Sequence, residues 1–472
     1  MDNKNAKALK SAVWYTVSNF LTRAIGLITT PIFTRLMTKA EFGLFNDYSS
    51  WLSILTIITT IDLSASFISA RYDFEDDFDG YVYSTLALSS LSVVAWTILL
   101  NAFFGHFHHF FGLERIYLNC MMTSILFNTA VIMFQIRERY MFKYKATVLT
   151  GLILSVGSAF VSVCLVVNMA DKLSGRIFGS VIPNIVLGFV IFIYIGVKGR
   201  HIKVLYWKYA IPIALPFIPH LLSLTVLNSV DRIMITNICG EEQTALYGLA
   251  YSTGAIVTIL LTSMNTAYSP WLGAKLHENS IDEVREFSKM YISAFVYLCI
   301  GIMLLTPEVL WILGGATYSE ARYVMPPITC GVGCQFLYTM FVNVEQYMKK
   351  TMGMAIGSVS AASLNYILNL IFIPRYGYIA AAYTTLIGYL WLVMVHMYLV
   401  KKIGYQNVYD YRIVSTTILI LLSTTFGVNI LFHYDVIRYV FVVLYALITI
   451  YIATKYGNKI ILIVKDMKKA RR

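Results

Sequence analysis

Charge is scarce in this chain of 472 residues: Asp, Glu, Lys and Arg supply 13%, whereas hydrophobic residues supply 58%. Long polar segments are missing too, and no connection between the apolar stretches is long enough to form a soluble domain. The pattern GxxxxGK[ST] does not occur, so the chain does not hydrolyse ATP through a P-loop. HExxH, the GxSxG elbow and CxxC pairs with zinc spacing are also absent. Short external loops leave little room for the sugar-handling residues of a membrane transferase. Cysteines number six (Cys120, Cys164, Cys239, Cys299, Cys330, Cys334), lie mostly within apolar stretches, and do not form a secreted disulfide framework. Cys330 and Cys334 share a helical face and read as small packing residues.

What remains is apolar and long. About fourteen stretches have the length of a membrane-crossing helix, near 11–37, 43–69, 81–104, 115–136, 146–168, 176–197, 209–238, 244–268, 288–313, 323–344, 353–373, 378–400, 412–432 and 436–454. Alternate connections carry 27 and 8 basic residues, the smaller set holding Arg35, Lys39, Arg115, Lys172, Arg176, Arg322, Arg375 and Arg438. That asymmetry places both termini in the cytoplasm. It also accounts for most of the +12 net charge, so no nucleic-acid partner is implied. The first span has no cleavage site and reads as an uncleaved helix. The terminal KDMKKARR is expected to rest on anionic headgroups.

The chain repeats itself. KAEFGLF (Lys39 to Phe45) and TALYGLA (Thr244 to Ala250) both open a span with aromatic-Gly-Leu, and two further motif pairs follow at similar offsets. Six spans per half make parallel repeats, with two spans left over. The expected division is residues 1–205, residues 206–403, and residues 404–472 with spans 13 and 14 and a basic tail. Gly175–Gly179 and Gly353–Gly357 predict close helix approach.

Charges inside spans are costly, at roughly 2.5–3.5 kcal/mol each, and so point to a polar interior. Arg23 lies mid-span with Thr16, Asn19 and Thr30 on its face. Span 7 carries His220, Asn228 and Arg232 on one stripe, with Asp231 alongside. Asn19–Arg23 and Asn228–Arg232 share the spacing Asn-x-x-x-Arg. Pro212, Pro216 and Pro219 predict a bend in span 7. Asp62 is a second intramembrane acid, and Asn365 and Asn369 face one way on span 11. Structural alternatives stand beside these: an ion pair for Asp231 and Arg232, interhelical hydrogen bonds for the two asparagines. The acidic loop RYDFEDDFDGY (Arg71 to Tyr81) reads as solvated, and GHFHHFFG (His106, His108, His109) as an interfacial aromatic belt rather than a metal site.

A duplicated twelve-span core with two extra spans resembles the multidrug/oligosaccharidyl-lipid/polysaccharide (MOP) flippase superfamily. AEFGLFNDYSSW, PFIPHLLSLTVLNSVDRIMI, LYGLAYS and YGYIAAAYTTLIGY, in this order, resemble the bacterial Wzx-type polysaccharide-unit flippases. The resemblance implies an all-α carrier in the bacterial inner membrane. Its cargo would be an undecaprenyl-diphosphate-linked oligosaccharide, moved outward by alternating access, for O-antigen or capsule synthesis. It implies membrane lipids and polysaccharide polymerase and chain-length machinery as partners, and no catalytic residues, cofactor or metal. Arg23, Asn19, Arg232, Asn228, His220, Asn365 and Asn369 are then cavity candidates. Asp62 or Asp231 would carry a proton or sodium ion if transport is coupled. One departure is that a single clear intramembrane Arg stands in the first half, where the peptidoglycan-precursor branch has several. The competing readings are a cation-coupled drug antiporter of the same superfamily and a polytopic transferase acting on lipid-linked sugars.

Overall fold

A computed structural model describes residues 3–141, 143–348, 350 and 352–469 of the chain. Among these, every regular element is helical. The α-helices are α1 (Asn3–Leu36), α2 (Lys39–Thr60), α3 (Phe67–Asp73), α4 (Phe78–Ala102), α5 (Phe104–Phe111) and α6 (Arg115–Tyr140). They continue with α7 (Tyr144–Asn168), α8 (Lys172–Gly199), α9 (Val204–Ala214), α10 (Ile218–Cys239), α11 (Glu241–His277) and α12 (Ile281–Leu304). The last are α13 (Thr306–Gly314), α14 (Met325–Tyr347), α15 (Met352–Tyr376), α16 (Tyr378–Lys402), α17 (Tyr411–Leu431) and α18 (Asp435–Lys469).

Among the described residues, ten helices are long and apolar enough to cross a membrane, and two bent helix pairs raise that to twelve. The sequence pattern counted fourteen. The other two stretches are α1 and α14, both helical over their full length but less apolar. For α14 the reason is its position: most of its residues are buried among protein neighbours, with Gly331, Gly333, Cys330 and Cys334 in contact with other helices instead of lipid. A span surrounded by protein does not need a lipid-compatible surface.

Two breaks interrupt the spans. Between α9 and α10 the axis turns by 55° at Leu215–Phe217, where the sequence supplies Pro212, Pro216 and Pro219. Between α2 and α3 it turns by 56°, with no proline present. There Ile61 and Asp62 adopt left-handed conformations (φ 59° and 39°), which cost of order 1–2 kcal/mol per non-glycine residue. Neighbouring side chains compensate: Ser89 donates to the Thr60 carbonyl at 2.9 Å, and Ser64 to Asp62 Oδ1 at 2.8 Å. The two breaks meet, since α9 packs on Leu63–Ser66 and on α4, whereas α10 packs on α15 and α2. The second part of span 7 thus bridges α2 and α15, while its first part stays with α4 and the α2–α3 break.

In the segment Arg71 to Tyr81, Asp73, Glu75 and Asp76 are exposed, as expected of a solvated acidic stretch, but the backbone is largely helical and part of its charge is paired. Asp77 Oδ2 accepts from Lys203 Nζ at 2.7 Å and lies 2.8 Å from His201 Nε2, Tyr209 donates to Asp73, and Arg137 pairs with Asp79. Phe74, Tyr81, Tyr206 and Tyr209 pack their rings between these pairs. The acids clamp the inter-half linker onto the first half. Lys203, outside the spans, is held above the ordinary lysine range by hydrogen bonds to Asp77 and Tyr206.

Helix starts are capped where the chain re-enters the bundle. Thr38 and Glu41 form a reciprocal capping box on α2. Asp171 caps α8; burial opposes its ionisation, but hydrogen bonds from Ser174, Tyr117 and Leu173 hold its carboxyl below the usual range. Small residues set the tightest packing: Gly175 and Gly179 lie against the backbone of Val166 and Ser162.

Candidate functional site

The site is built beside the junction of α1 and α2 with α11 and α13. At the α1–α2 end, Phe33, Met37 and Phe42 share a core with Leu246, Tyr247, Leu313 and Tyr318. Thr34 Oγ1 donates to the Leu313 carbonyl at 2.6 Å, and Arg35 to the Ile312 carbonyl at 3.1 Å. The repeated aromatic-Gly-Leu motifs form this seal. At Gly43 an added methyl would overlap the Glu241 carbonyl, and at Gly248 it would come 2.6 Å from the Asn46 side chain. The sequence placed these glycines at equivalent positions; their use as the crossing point of α2 and α11 is a tertiary fact.

Arg23 lies eleven residues before Thr34, almost three helical turns, and so shares its face about 16 Å further along α1. That face touches the second half at Thr34 but is exposed at Arg23. Space beside Gly26 is open, and among the described residues Arg23 makes no ion pair. The side chains of Thr16 and Asn19 lie outside the described ones.

Arg232 is held differently. Its Nη2 donates to the Asn228 carbonyl at 3.0 Å and to Ser229 Oγ at 3.3 Å, and its fork lies 5.0 Å from the Tyr251 ring centroid. Arg232 Nε is buried without a partner. Asn228 Oδ1 accepts from Tyr251 and Tyr389, both at 2.7 Å. These residues line a cavity of ≈ 290 Å³ with Gln335 and Thr385. Asp47 on α2, buried with one carboxylate oxygen unpartnered, feels the charge of Arg232 across the interface.

Asp231 is fully buried in a polar cluster that shares Thr385 with that cavity. Tyr247 donates to Oδ2 at 2.6 Å, Asn369 to Oδ1 at 2.6 Å, and Thr385 also donates to Oδ2. Asn365 donates to Thr385 at 3.1 Å, and Thr384 donates to Asn369. Asn365 and Asn369 are both 0% exposed, so they support Asp231 instead of lining the cavity. Asp62 lines a separate space of ≈ 180 Å³ with Thr56, Thr60, Ser64 and Thr129 beside the α2–α3 break. His220 lies at the α10 side of the other break, 2.7 Å from Ser358 Oγ.

Arg176 was missed by the sequence pattern, which counted it in an external connection. Helix α8 begins at Lys172, so Arg176 falls in its second turn, sandwiched with its fork 3.7 Å and 4.5 Å from the ring centroids of Phe33 and Phe45. It is a second cation of the first half beneath the seal. No group of three or more His, Cys, Asp or Glu capable of holding a metal occurs among the described residues; the side chain of His109 lies outside them.

Comparison with known proteins fits this arrangement. Residues 216–371, which include Asp231 and Asn369, match the MatE family. A Haemophilus influenzae protein of the Lsg locus is 20% identical over 416 residues, covering 84% of this chain and 99% of that protein. The fold is similar to that of the lipid II flippase MurJ in an inward closed conformation, with TM-score 0.67, 14% identity, and coverage of 95% of this chain and 100% of that one. It is also similar to an inward-facing multidrug resistance MATE transporter of the MOP superfamily, with TM-score 0.57 and 14% identity over 86% of this chain and 98% of that one. Residues 8–277, more than half of the sequence, match the family described as polysaccharide biosynthesis protein. The chain belongs to that family and is a multi-pass membrane protein.

Proposed function

We propose that this protein is a flippase that carries a polyprenyl-diphosphate-linked oligosaccharide across the bacterial inner membrane, from the cytoplasmic to the outer leaflet, for surface polysaccharide synthesis. The observation that carries the reading is Arg23: an exposed cation on the face of α1 that, at Thr34, hydrogen-bonds to the Leu313 carbonyl. A guanidinium there binds a diphosphate through paired hydrogen bonds. Arg176 and Arg232 add positive charge toward the seal, and Asn228, Gln335 and Tyr389 offer partners for sugar hydroxyls. The lipid tail stays in the bilayer beside the site. With the α1–α2 end closed, access from the end that the basic residues assign to the cytoplasm would make this the cargo-accepting state. Parting of the seal, with bending at Leu215–Phe217, would release the cargo on the other side.

The Asp231 cluster supports ion coupling as part of the same cycle. The Asp231 carboxylate, with the Tyr247 and Thr385 hydroxyl oxygens beside it, suits a proton or a sodium ion.

The test is reconstitution of the purified protein in vesicles carrying a fluorescent lipid-linked oligosaccharide on one leaflet. Flippase activity equalises or transfers the label between leaflets without changing its mass. A changed mass with unchanged sidedness would establish the transferase reading, and movement of cationic drugs instead of the lipid would establish the antiporter.

A further inference from the structure

The second half holds another buried titratable pair, outside the Asp231 cluster and outside the path given to the cargo. Glu345 near the end of α14 and His396 on α16 have side chains 1% and 2% exposed, with His396 Nδ1 2.7 Å from Glu345 Oε1. The other carboxylate oxygen, Oε2, is buried and has no hydrogen-bond partner. Gly353 passes beside it, where an added methyl would come 3.3 Å from Oε2. A bare carboxylate oxygen inside a membrane protein is expensive, and the ionised form more so than the neutral one. Two buried groups that share a hydrogen bond and leave one oxygen unsatisfied are poorly explained as static reinforcement.

The pair is connected to the hinge of span 7. His396 Nε2 lies against Gly357, where an added methyl would come 3.0 Å away. The next residue, Ser358, has its hydroxyl 2.7 Å from His220 Nδ1. His220 is half-buried, one residue past Pro219 at the start of α10. A single stretch of α15 is therefore touched by the buried pair on one side and by the hinge helix on the other. The titratable side chains set around the pair are His220 from α10, Tyr338 from α14, whose ring stacks 5.7 Å from His396, and Tyr389 from α16, stacked on Tyr338. Helices α11, α12 and α17 meet this part of α14 through Asn265, Tyr291 and Tyr411, none of them charged at neutral pH. Lys350 donates its backbone N–H to the Glu345 carbonyl.

We propose that Glu345 and His396 form a proton-binding site, reached through His220, that takes up one proton as the hinge moves. In the empty state the Glu345 carboxylate faces a neutral imidazole and the pair carries one negative charge. Uptake of one proton from water places it on the bare oxygen Oε2, while Oε1 keeps its hydrogen bond from Nδ1–H, and makes the pair neutral, with no other bond made or broken. Movement of α10 shifts His220 relative to Ser358 and so changes access to the site. The use of this proton in coupling rests on the transport reading above; its detection does not.

The experiment is an infrared titration of the full-length protein in lipid vesicles, without cargo, between about pH 5 and 8. The expected result is a carboxylic-acid C=O band that appears as pH falls, is lost in Glu345→Gln, and moves its midpoint by about one pH unit or more in His396→Gln. Glu345→Asp, which keeps the carboxyl, should retain a titrating band. If no pH-dependent carboxyl signal is assignable to residue 345 in the wild type and the Glu345→Asp variant, the proposal is overturned and the pair is a fixed structural contact. Because no cargo is present, this outcome is independent of whether the protein moves a lipid-linked oligosaccharide.

Discussion

Helices α1 and α10 carry the same Asn-x-x-x-Arg spacing, yet they treat charge in opposite ways. Arg23 on α1 is exposed beside an open glycine. Arg232 on α10 folds back onto its own backbone and a tyrosine ring, and its neighbour Asp231 is enclosed by three donors. One helix presents a charge to whatever enters; the other has already satisfied most of its charge within the protein. The difference suggests a division of labour, with cargo recognition weighted to the first half and the ion-responsive machinery to the second.

The largest expected effect comes from breaking the exposed side of that comparison. Arg23→Ala should lower surface polysaccharide at least about tenfold, as loss of a charge-assisted contact of roughly 1.5–3 kcal/mol implies. Membrane abundance of the protein should stay normal, because Arg23 supports no neighbour; immunoblotting alongside polymer quantification checks both. Arg23→Lys should recover part of the activity, and little if paired hydrogen bonding is what matters. Full polymer in Arg23→Ala would remove this residue from the site.

The enclosed side should respond in stability before activity. Asp231→Ala leaves Tyr247, Asn369 and Thr385 without their shared acceptor, at a cost of about 1–3 kcal/mol for the exposed buried groups. Asp231→Asn keeps the shape and should cost less, while removing any dependence of transport on sodium or protons. Thermal denaturation in detergent, set against transport at varied ion concentrations, separates the two. If both variants melt like wild type, the cluster is not holding these helices together.

How far the sequence revealed this contrast depends on where the determining information sits. The break in span 7 was legible because proline writes its consequence locally. The break in span 2 was not, because Ile61 disfavours left-handed backbone and Asp62 tolerates it only weakly; the tertiary hydrogen bond from Ser89 to the Thr60 carbonyl helps to hold it. Arg176 was misplaced by a span boundary set four residues late, enough to turn an interior cation into an external one. Asn365 and Asn369 were visible as a polar face, but their partner Asp231 lies 138 positions from Asn369 in the chain and is brought there only by folding. The aromatic-Gly-Leu repeats were found by pattern, and only packing showed why both positions must be glycine.

A smaller effect is expected at Arg232. Its charge is already shared with the Asn228 carbonyl and Ser229, so Arg232→Gln should reduce transport a few-fold, less than Arg23→Ala does. Reconstituted transport rates for the two variants, measured side by side, test the ranking. Equal losses would mean that both helices meet the cargo with equal force and that the proposed division is wrong.

The smallest effect tests the seal on which the comparison depends. Arg23 is exposed on the same face of α1 as Thr34, whose hydroxyl donates to the Leu313 carbonyl at 2.6 Å. Thr34→Val keeps the volume and removes that donor, at about 1 kcal/mol, which shifts the balance between sealed and open forms by roughly fivefold. Labels at Leu36 and Thr317, exposed on either side of the junction, would report the change as a larger fraction of long separations. Since the second half keeps its own hydrogen bonds, the Asp231 cluster and overall melting should be unaffected. An unchanged distance distribution would show that the apolar core of Phe33, Phe42 and Tyr318 closes this end without help from the hydrogen bond.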